Sequence, residues 1–359
     1  MKLKFSPMLE VTNFCNLRTR LNLVYLPQLF KSMEKLIAAF PENITEALTI
    51  ARSVQLQLTS RPIHNVVVCG MGGSGIGGKI VAQWLQDECP VPILSCQDYE
   101  LPAYVGENTL VIGSSYSGNT EETLYALSAA HARGAFIVGI ASGGELKRFC
   151  LENNYDVITV PGGNPPRTAL AFSLVQLLAI FQQLDLVKSN YLAQMESGAA
   201  LLIAEKETIL EEANRVTDHL KNKVIVTYAG AEYEAVTIRA KQQINENSKE
   251  LCWQHVIPEM NHNELVGWGG GDQRYAAWFL QTGDLSARNQ KRFEISMDIV
   301  KKHTDQVVLT YAKGSGKIEH SLYLIHLIDW VSLFLSNRKN GDPIEIDNID
   351  FLKDALSKM

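Results

Sequence analysis

The feature that most constrains this chain is a change of hydrophobic period at Asn65. From there, short β-branched runs alternate with amphipathic stretches. "NVVVCG" is followed by a helix from Gly77, and then comes "VPILSC"; "TLVIGSS" is followed by a helix from Thr120; "GAFIVGIA" comes next, and "DVITVP" is followed by a helix from Ala169. Strands that are apolar on both faces and separated by helices predict a parallel sheet covered on both sides. Five strands are expected between about 65 and 160. The pattern then restarts: "KVIVTYAG", "LCWQHVIP", "RYAAWFLQT" and "HTDQVVLTYAKGSG" read as strands, "AEYEAVTIRAKQQINENSK" as a helix, and "KIEHSLYLIHLIDWVSLFLSNRK" as a long apolar helix.

The expected fold is therefore α/β, with two doubly wound parallel-sheet domains. Apolar residues at three- and four-residue spacing make residues 1–60 a helical N-terminal extension. A first domain spans 61–190, a helical linker and second domain 191–337, and a C-terminal segment 338–359. A length of 359 residues suits about two domains. With 46% hydrophobic and 20% charged residues, the chain has enough apolar material for a proper core.

The net charge is −6 and the basic residues form no run, so nucleic acid is not an expected partner. The six cysteines, at 15, 69, 89, 96, 150 and 252, show no C-x-x-C and no metal-ligand spacing, as in a reduced cytoplasmic protein. No apolar core follows "MKLKFSP", so a signal peptide is not expected. The apolar run Ala169 to Phe181 is too short to span a bilayer and reads as a buried helix.

The stretch "VVVCGMGGSGIGGKI" (66–80) leaves a strand and opens a helix, which is where backbone N–H groups and the helix dipole favour an anion. Gly70, Gly72 and Gly75 fit the dinucleotide fingerprint. Gly73, Gly78 and Lys79 nearly fit the triphosphate loop, but Ile80 stands where a metal-binding hydroxyl is required. The acidic residue a dinucleotide site requires has only Asp98 as a candidate. A lone phosphate is the third reading. "VIGSSYSGNTEET" (111–123) favours it, because Ser114, Ser115, Ser117 and Thr120 supply four hydroxyls where a helix cap needs one. Neutral donors of this kind can hold a phosphate without lysine or metal.

A glycine-rich turn with Ser74 and an S-x-S-G-N-T loop, each after a parallel strand, resemble the sugar isomerase (SIS) domain, whose fold is flavodoxin-like. With "NPPRTAL" (164–170), "NENSK" (245–249), "PEMNHNELVGW" (258–268) and "DPIEIDNIDFLK" (342–353), the chain resembles the bifunctional phosphoglucose/phosphomannose isomerase family from about residue 60 onward. That resemblance implies an aldose–ketose isomerase of phosphosugars, working through a cis-enediolate without metal or redox cofactor. It assigns Gly72, Gly73, Ser74, Ser115, Ser117 and Thr120 to the substrate phosphate. Arg167 would face the enediolate oxygens, and Glu246 would carry the proton between C1 and C2. His262 would assist ring opening from across a homodimer interface, and Lys353 would assist from near the chain end. Glu264 would support the His262 loop. No nucleic acid or membrane partner is implied.

The residues alone carry blander readings. Glu246 is then a solvent-facing glutamate at a helix end, Lys353 an exposed helix lysine, and Arg167 a surface arginine in a proline-rich turn. Two other functions compete. A non-catalytic phosphosugar regulator would leave Glu246 and His262 idle and would want a basic recognition helix. An amino-sugar phosphate isomerase would call for a glutaminase partner. One departure from the family pattern bears on specificity. In some members a threonine shortly before the lysine is linked to the mannose epimer, whereas residues 344–352 here contain no hydroxyl, so glucose 6-phosphate is the expected preference.

Overall fold

The computed structural model describes residues 32–57 and 61–358, so the helical expectation for residues 1–31 lies outside the described residues. Helices α1 (Met33–Ala38) and α2 (Phe40–Ser53) lead into β1 (Asn65–Cys69) and α3 (Gly72–Leu85). There follow β2 (Ile93–Cys96), β3 (Thr109–Ser114), α4 (Glu121–Ala132), β4 (Phe136–Ala141), α5 (Gly144–Glu152), β5 (Asp156–Thr159) and α6 (Leu170–Gln183). After α7 (Tyr191–Ala204) and α8 (Lys206–Leu220), a second series begins. It comprises β6 (Val224–Gly230), α9 (Glu234–Ser248), β7 (Cys252–Ile257), the short α10 (Glu264–Gly267), β8 (Tyr275–Gln281), α11 (Ala287–Val300), β9 (Val307–Tyr311), α12 (Lys317–Arg338) and α13 (Asp347–Leu356).

The first five strands form a parallel sheet in the order β2-β1-β3-β4-β5, and the last four a parallel sheet in the order β7-β6-β8-β9. Pleating sends alternate side chains to opposite faces. On β1 and β3, Val66, Val68, Leu110 and Ile112 enter a large core that includes residues of α3 and α6, while Val67 and Val111 enter a separate layer with Leu127 of α4 and Leu146 of α5.

That large core continues without a break into the second sheet through Ile225 and Trp278. The helices flanking the halves belong to it. Helix α2 packs on α6 and α7, and Gln176 and Gln183 hydrogen-bond to the backbone at Ala47, Val54 and Leu56. Helices α7 and α8, expected as a linker, pack on α12, so they are walls of the shared core rather than a spacer. Helix α12 is long and apolar enough to cross a membrane by composition, yet most of it is buried against α7, α8 and α9. It is the central helix of the second half.

One boundary differs from expectation. Helix α3 starts at Gly72, not Gly77, so the glycines at 72–75 form its first turn. Propensity argued against a helix through so many glycines, but small residues let α3 press against β1 and α6, and packing overrides propensity.

Candidate active site

In a parallel sheet the ligand crevice lies outside the carboxyl ends of the strands, where the strand order reverses. In the first sheet that point is between β1 and β3. The two segments singled out for phosphate leave the sheet there side by side. Gly72 has φ +49°, a left-handed conformation that glycine adopts without strain and that turns β1 directly into α3. Helix α3 has no side-chain cap, and Gly72 and Gly73 are its first two residues, so their N–H groups have no partner four residues back along the helix.

The hydroxyls are held in fixed positions. Ser74 Oγ accepts from Tyr116 N at 3.1 Å, which ties the two segments together. Ser115 Oγ and Thr120 Oγ1 share a hydrogen bond at 2.8 Å, and Ser117 Oγ accepts from Asn119 N at 3.3 Å. Thr120 occupies the N-cap position of α4, yet its hydroxyl does not cap the helix. Asn119 does not cap it either, since its Oδ1 accepts from Glu145 N at 3.0 Å. Both side chains that could have explained the segment as an ordinary cap are committed elsewhere.

Arg167 stands next to this turn. It lies in a 3-10 turn, Pro166–Thr168, after β5, and a Cβ on Gly73 would sit 3.0 Å from Pro166 O and 3.2 Å from Arg167 Cα. Any larger residue at 73 would crowd that approach, and the 166–167 backbone would have to give by a few tenths of an ångström. The guanidinium is 3% exposed and every nitrogen is used. Nη1 donates to Glu246 Oε1 at 2.7 Å, and Nε donates to Asn247 Oδ1 at 2.7 Å. Nη2 donates to Pro343 O at 2.6 Å and Ile344 O at 3.2 Å. Burial lowers the Arg167 pKa and neighbouring Arg239 adds to this, while the Glu246 carboxylate opposes both.

Glu246 sits in the last turn of α9 with its side chain 30% exposed. Among the described residues no hydrogen bond reaches its second carboxylate oxygen, which leaves one oxygen oriented by arginine and one open toward a cavity. Asn245, Glu246 and Lys249 line that cavity on one side, and Glu345, Asn348 and Ile349 on the other.

Beneath the site runs a buried ladder along one face of α9, at positions 239, 243, 246 and 247. Arg239 donates to Arg167 O at 2.7 Å and to both oxygens of Asp329 at 3.1 Å. Gln243 donates to Asp329 Oδ1 at 2.7 Å, and Asn247 to Ser332 Oγ at 2.9 Å. This layer fixes the backbone that carries Arg167 and the helix that carries Glu246. Asn247 falls within the motif "NENSK", whereas Arg239, Gln243, Asp329 and Ser332 belong to no motif of the sequence. The available signal was helical spacing of polar residues on an otherwise core-facing surface.

The other two expected residues are placed apart. Helix α9 and β7 run in opposite directions, so Glu246 lies at the start of β7 and His262 beyond its end. Six strand residues separate them by about 20 Å. His262 is exposed, and its ring makes no hydrogen bond among the described residues. The flanking amides turn away: Asn261 bonds to Ser296, and Asn263 to Glu259 and to Glu264 N. Glu264 accepts from the Tyr228 hydroxyl, which anchors the His262 segment to β6. Lys353 is exposed on α13 and is not brought into the Glu246 cavity. It lies one turn beyond Ile349, on the same stripe of the helix.

Comparison with known proteins fits this arrangement. The chain is 37% identical over 330 residues to a bifunctional phosphoglucose/phosphomannose isomerase of Caldicellulosiruptor bescii, covering 89% of this chain and 97% of that one. The chain belongs to the bifunctional phosphoglucose/phosphomannose isomerase family. A relative of the same description from Aquifex aeolicus is 35% identical over 83% of this chain and 92% of its own length. Residues 209–356 match the family described as the bacterial phospho-glucose isomerase C-terminal SIS domain, which takes in Glu246, His262 and Lys353. The fold is shared with the C-terminal domain of glucosamine-fructose-6-phosphate aminotransferase from Francisella tularensis, with a TM-score of 0.74 at 15% identity over 88% of this chain and 99% of that one. The candidate site is composite. Its hydroxyl-lined crevice comes from the first sheet, its carboxylate from α9 and one wall from the segment after α12.

Proposed function

We propose that this protein interconverts glucose 6-phosphate and fructose 6-phosphate, and mannose 6-phosphate less readily, by proton transfer through a cis-enediolate. The observation that carries this reading is the chain of contacts from the uncapped turn at Gly72–Ser74, through Arg167, to Glu246. It sets an anion site beside a carboxylate held by a buried guanidinium, and no step needs metal or redox chemistry. Ser115, Ser117, Thr120 and the first turn of α3 hold the phosphate. Glu246 takes the proton from C2 and returns it to C1 with its open oxygen. Arg167 orients that carboxylate through its 2.7 Å hydrogen bond and places positive charge beside the enediolate oxygens.

His262 serves the site of a partner subunit, because the length of β7 keeps it from Glu246 of its own chain. The protein is in this reading a cytoplasmic homodimer with two shared sites. Lys353 assists ring opening from the stripe of α13 that begins at Ile349. A regulator that only binds phosphosugars has no use for a carboxylate clamped by a buried arginine.

The test is to incubate the purified protein with fructose 6-phosphate in deuterated water, without added metal or nucleotide, and to identify products and their deuterium content. Glucose 6-phosphate bearing exchanged hydrogen is expected; binding without any product would sink the isomerase reading. For sharing, mixed dimers of His262→Ala and Glu246→Gln chains are expected to regain part of the activity that each homodimer lacks. Mixed dimers as inactive as the two parents would refute the sharing.

A further inference from the structure

After α12 the chain turns at 339–341 and runs as a strap, Asp342 to Glu345, bent at Pro343 and Ile344, across the end of α9 before entering α13. All four carbonyls of this strap accept hydrogen bonds from two cations. Arg167 takes the inner pair, Pro343 O and Ile344 O. Lys249 Nζ takes the outer pair, Asp342 O at 2.6 Å and Glu345 O at 2.8 Å. The same ammonium donates to Glu246 O at 2.9 Å. An ammonium has three N–H donors and no acceptor. All three of Lys249 are therefore spent on carbonyls, one on the residue proposed as base and two on the wall facing it.

Local backbone geometry reinforces this. Lys249 ends α9 in the left-handed conformation, with φ 53° and ψ 41°. A lysine adopts that region at some conformational expense, and here it folds the side chain back over the last turn of its own helix. The strap has few other anchors. Helix α13 has no buried residue, and Ile344 is the one strap residue packed against the core. The geometry points to Lys249 as a positioning residue for the proposed isomerase, closing the strap over the Glu246 cavity and setting where the base stands against its opposite wall. This inference rests on Glu246 being the base and adds that the base is set from outside its own helix.

The charges facing Nζ are Glu345 and Asp342 on the strap, Glu246 on α9 and Arg167 beyond it. Burial lowers the Lys249 pKa below its ordinary 10.5, Arg167 pushes the same way, and the three carboxylates resist. As pH rises through that lowered value, the ammonium loses a proton and one carbonyl loses its donor. The wild-type rate is therefore expected to decline on the alkaline side. An arginine at 249 stays charged throughout, so its decline disappears.

The experiment compares Lys249→Met, Lys249→Gln and Lys249→Arg with wild type on fructose 6-phosphate. Fold is checked by thermal melting and strap closure by hydrogen exchange over residues 342–358. Misplacing a catalytic group by about 1 Å reduces rate by as much as about 100-fold. Met and Gln are expected to lower kcat by about 10- to 100-fold with a smaller change in KM, and to speed exchange in the strap. Arg is expected to restore kcat and abolish the alkaline decline. Wild-type kcat in Met and Gln, or an alkaline decline that persists in Arg, overturns the proposal. If none of the three variants folds, Lys249 holds the fold rather than the base, and the proposal is wrong. Glu246→Gln, run in parallel, separates the two ideas. If it retains C2-proton exchange the base assignment fails, whereas if it is dead and Lys249→Met is normal only the present inference fails.

Discussion

The two sheets share a topology but use it differently. Each has a strand-order reversal, between β1 and β3 in the first and between β6 and β8 in the second. At the first, neutral hydroxyls and uncapped N–H groups face the crevice. At the second, the corresponding space is filled by side chains, several of them bonded to one another. The Tyr233 hydroxyl donates to Asp284 Oδ2 at 2.6 Å and lies 3.2 Å from His320 Nδ1, while His320 Nε2 lies 3.1 Å from Gly314 O. The carboxylate of Glu232 is tucked over Gly230 with one buried oxygen that no donor reaches. Ser286 caps α11, the task Thr120 leaves undone on α4. A switch-point crevice is thus an opportunity that side-chain chemistry accepts or closes. The second half has closed its own, and it serves the first half's crevice from the other edge of its sheet through α9.

The sharpest way to break this comparison is to remove one carboxylate from each half. Glu246→Gln is expected to lower turnover by about 10²–10⁴, the usual worth of a general base, with substrate binding retained. Asp284→Asn is expected to leave kcat within about twofold, since hydrogen bonding at the second crevice is structural. A steady-state assay of both variants decides, and equal losses would mean the second crevice takes part in the chemistry.

Next in size is phosphate affinity. Ser115→Ala with Thr120→Val removes two of the donors proposed for the phosphate dianion, each worth about 1.5–3 kcal/mol for a charged partner. KM for fructose 6-phosphate should rise by at least about tenfold, and inorganic phosphate should inhibit the variant more weakly. Tyr233→Phe at the other crevice should leave KM and phosphate inhibition unchanged.

The second crevice should instead show itself in acid. Burial pushes the Asp284 carboxyl up, but the His320 ring 3.6 Å away and the hydrogen bond from the Tyr233 hydroxyl outweigh it and hold the group well below the usual carboxylate range. A depressed folded-state pKa contributes stability above the unfolded value near 3.9, and that contribution is lost as pH falls toward the folded value. Asp284→Asn should therefore melt below wild type at pH 7, with the gap narrowing below about pH 4. A gap that is constant with pH would contradict this account.

The smallest effect concerns the epimers. The cavity wall opposite Glu246 carries Asn348 and Ile349 and no hydroxyl. The ratio of kcat/KM for glucose 6-phosphate over mannose 6-phosphate should exceed one, by a factor of a few. Equal values would show that this wall does not choose between them.

Much of this fold could be read from residue order, because a strand buried on both faces leaves a continuous apolar run such as "NVVVC" or "TLVIG". The two segments proposed to hold the phosphate were legible as segments for a related reason: a glycine turn and clustered hydroxyls are local patterns, and local patterns survive in one dimension. What stayed hidden was tertiary. Nothing near Arg167 announces that its guanidinium reaches α9 and the 343–344 backbone, contacts separated by 79 to 177 positions in sequence. Lys249 was visible within "NENSK", but its partners are carbonyls, which have no letter in a sequence. The start of α3 was misplaced because glycine content speaks for a loop, and only the packing of neighbours shows why a helix forms there.

The position of α12 and the strap near the end of the chain has a consequence for synthesis. A ribosome has made the first crevice, Glu246 and β6 through β9 before α12 emerges. Until then α7, α8 and α9 lack the helix that buries their inner faces, and Arg167 lacks the carbonyls that share its charge. Contacts of such long range form late and leave apolar surface exposed in the meantime. The nascent chain therefore completes the surroundings of Arg167 and Glu246 only once α12 and the strap have emerged, and a chain released before them would expose the inner faces of α7, α8 and α9.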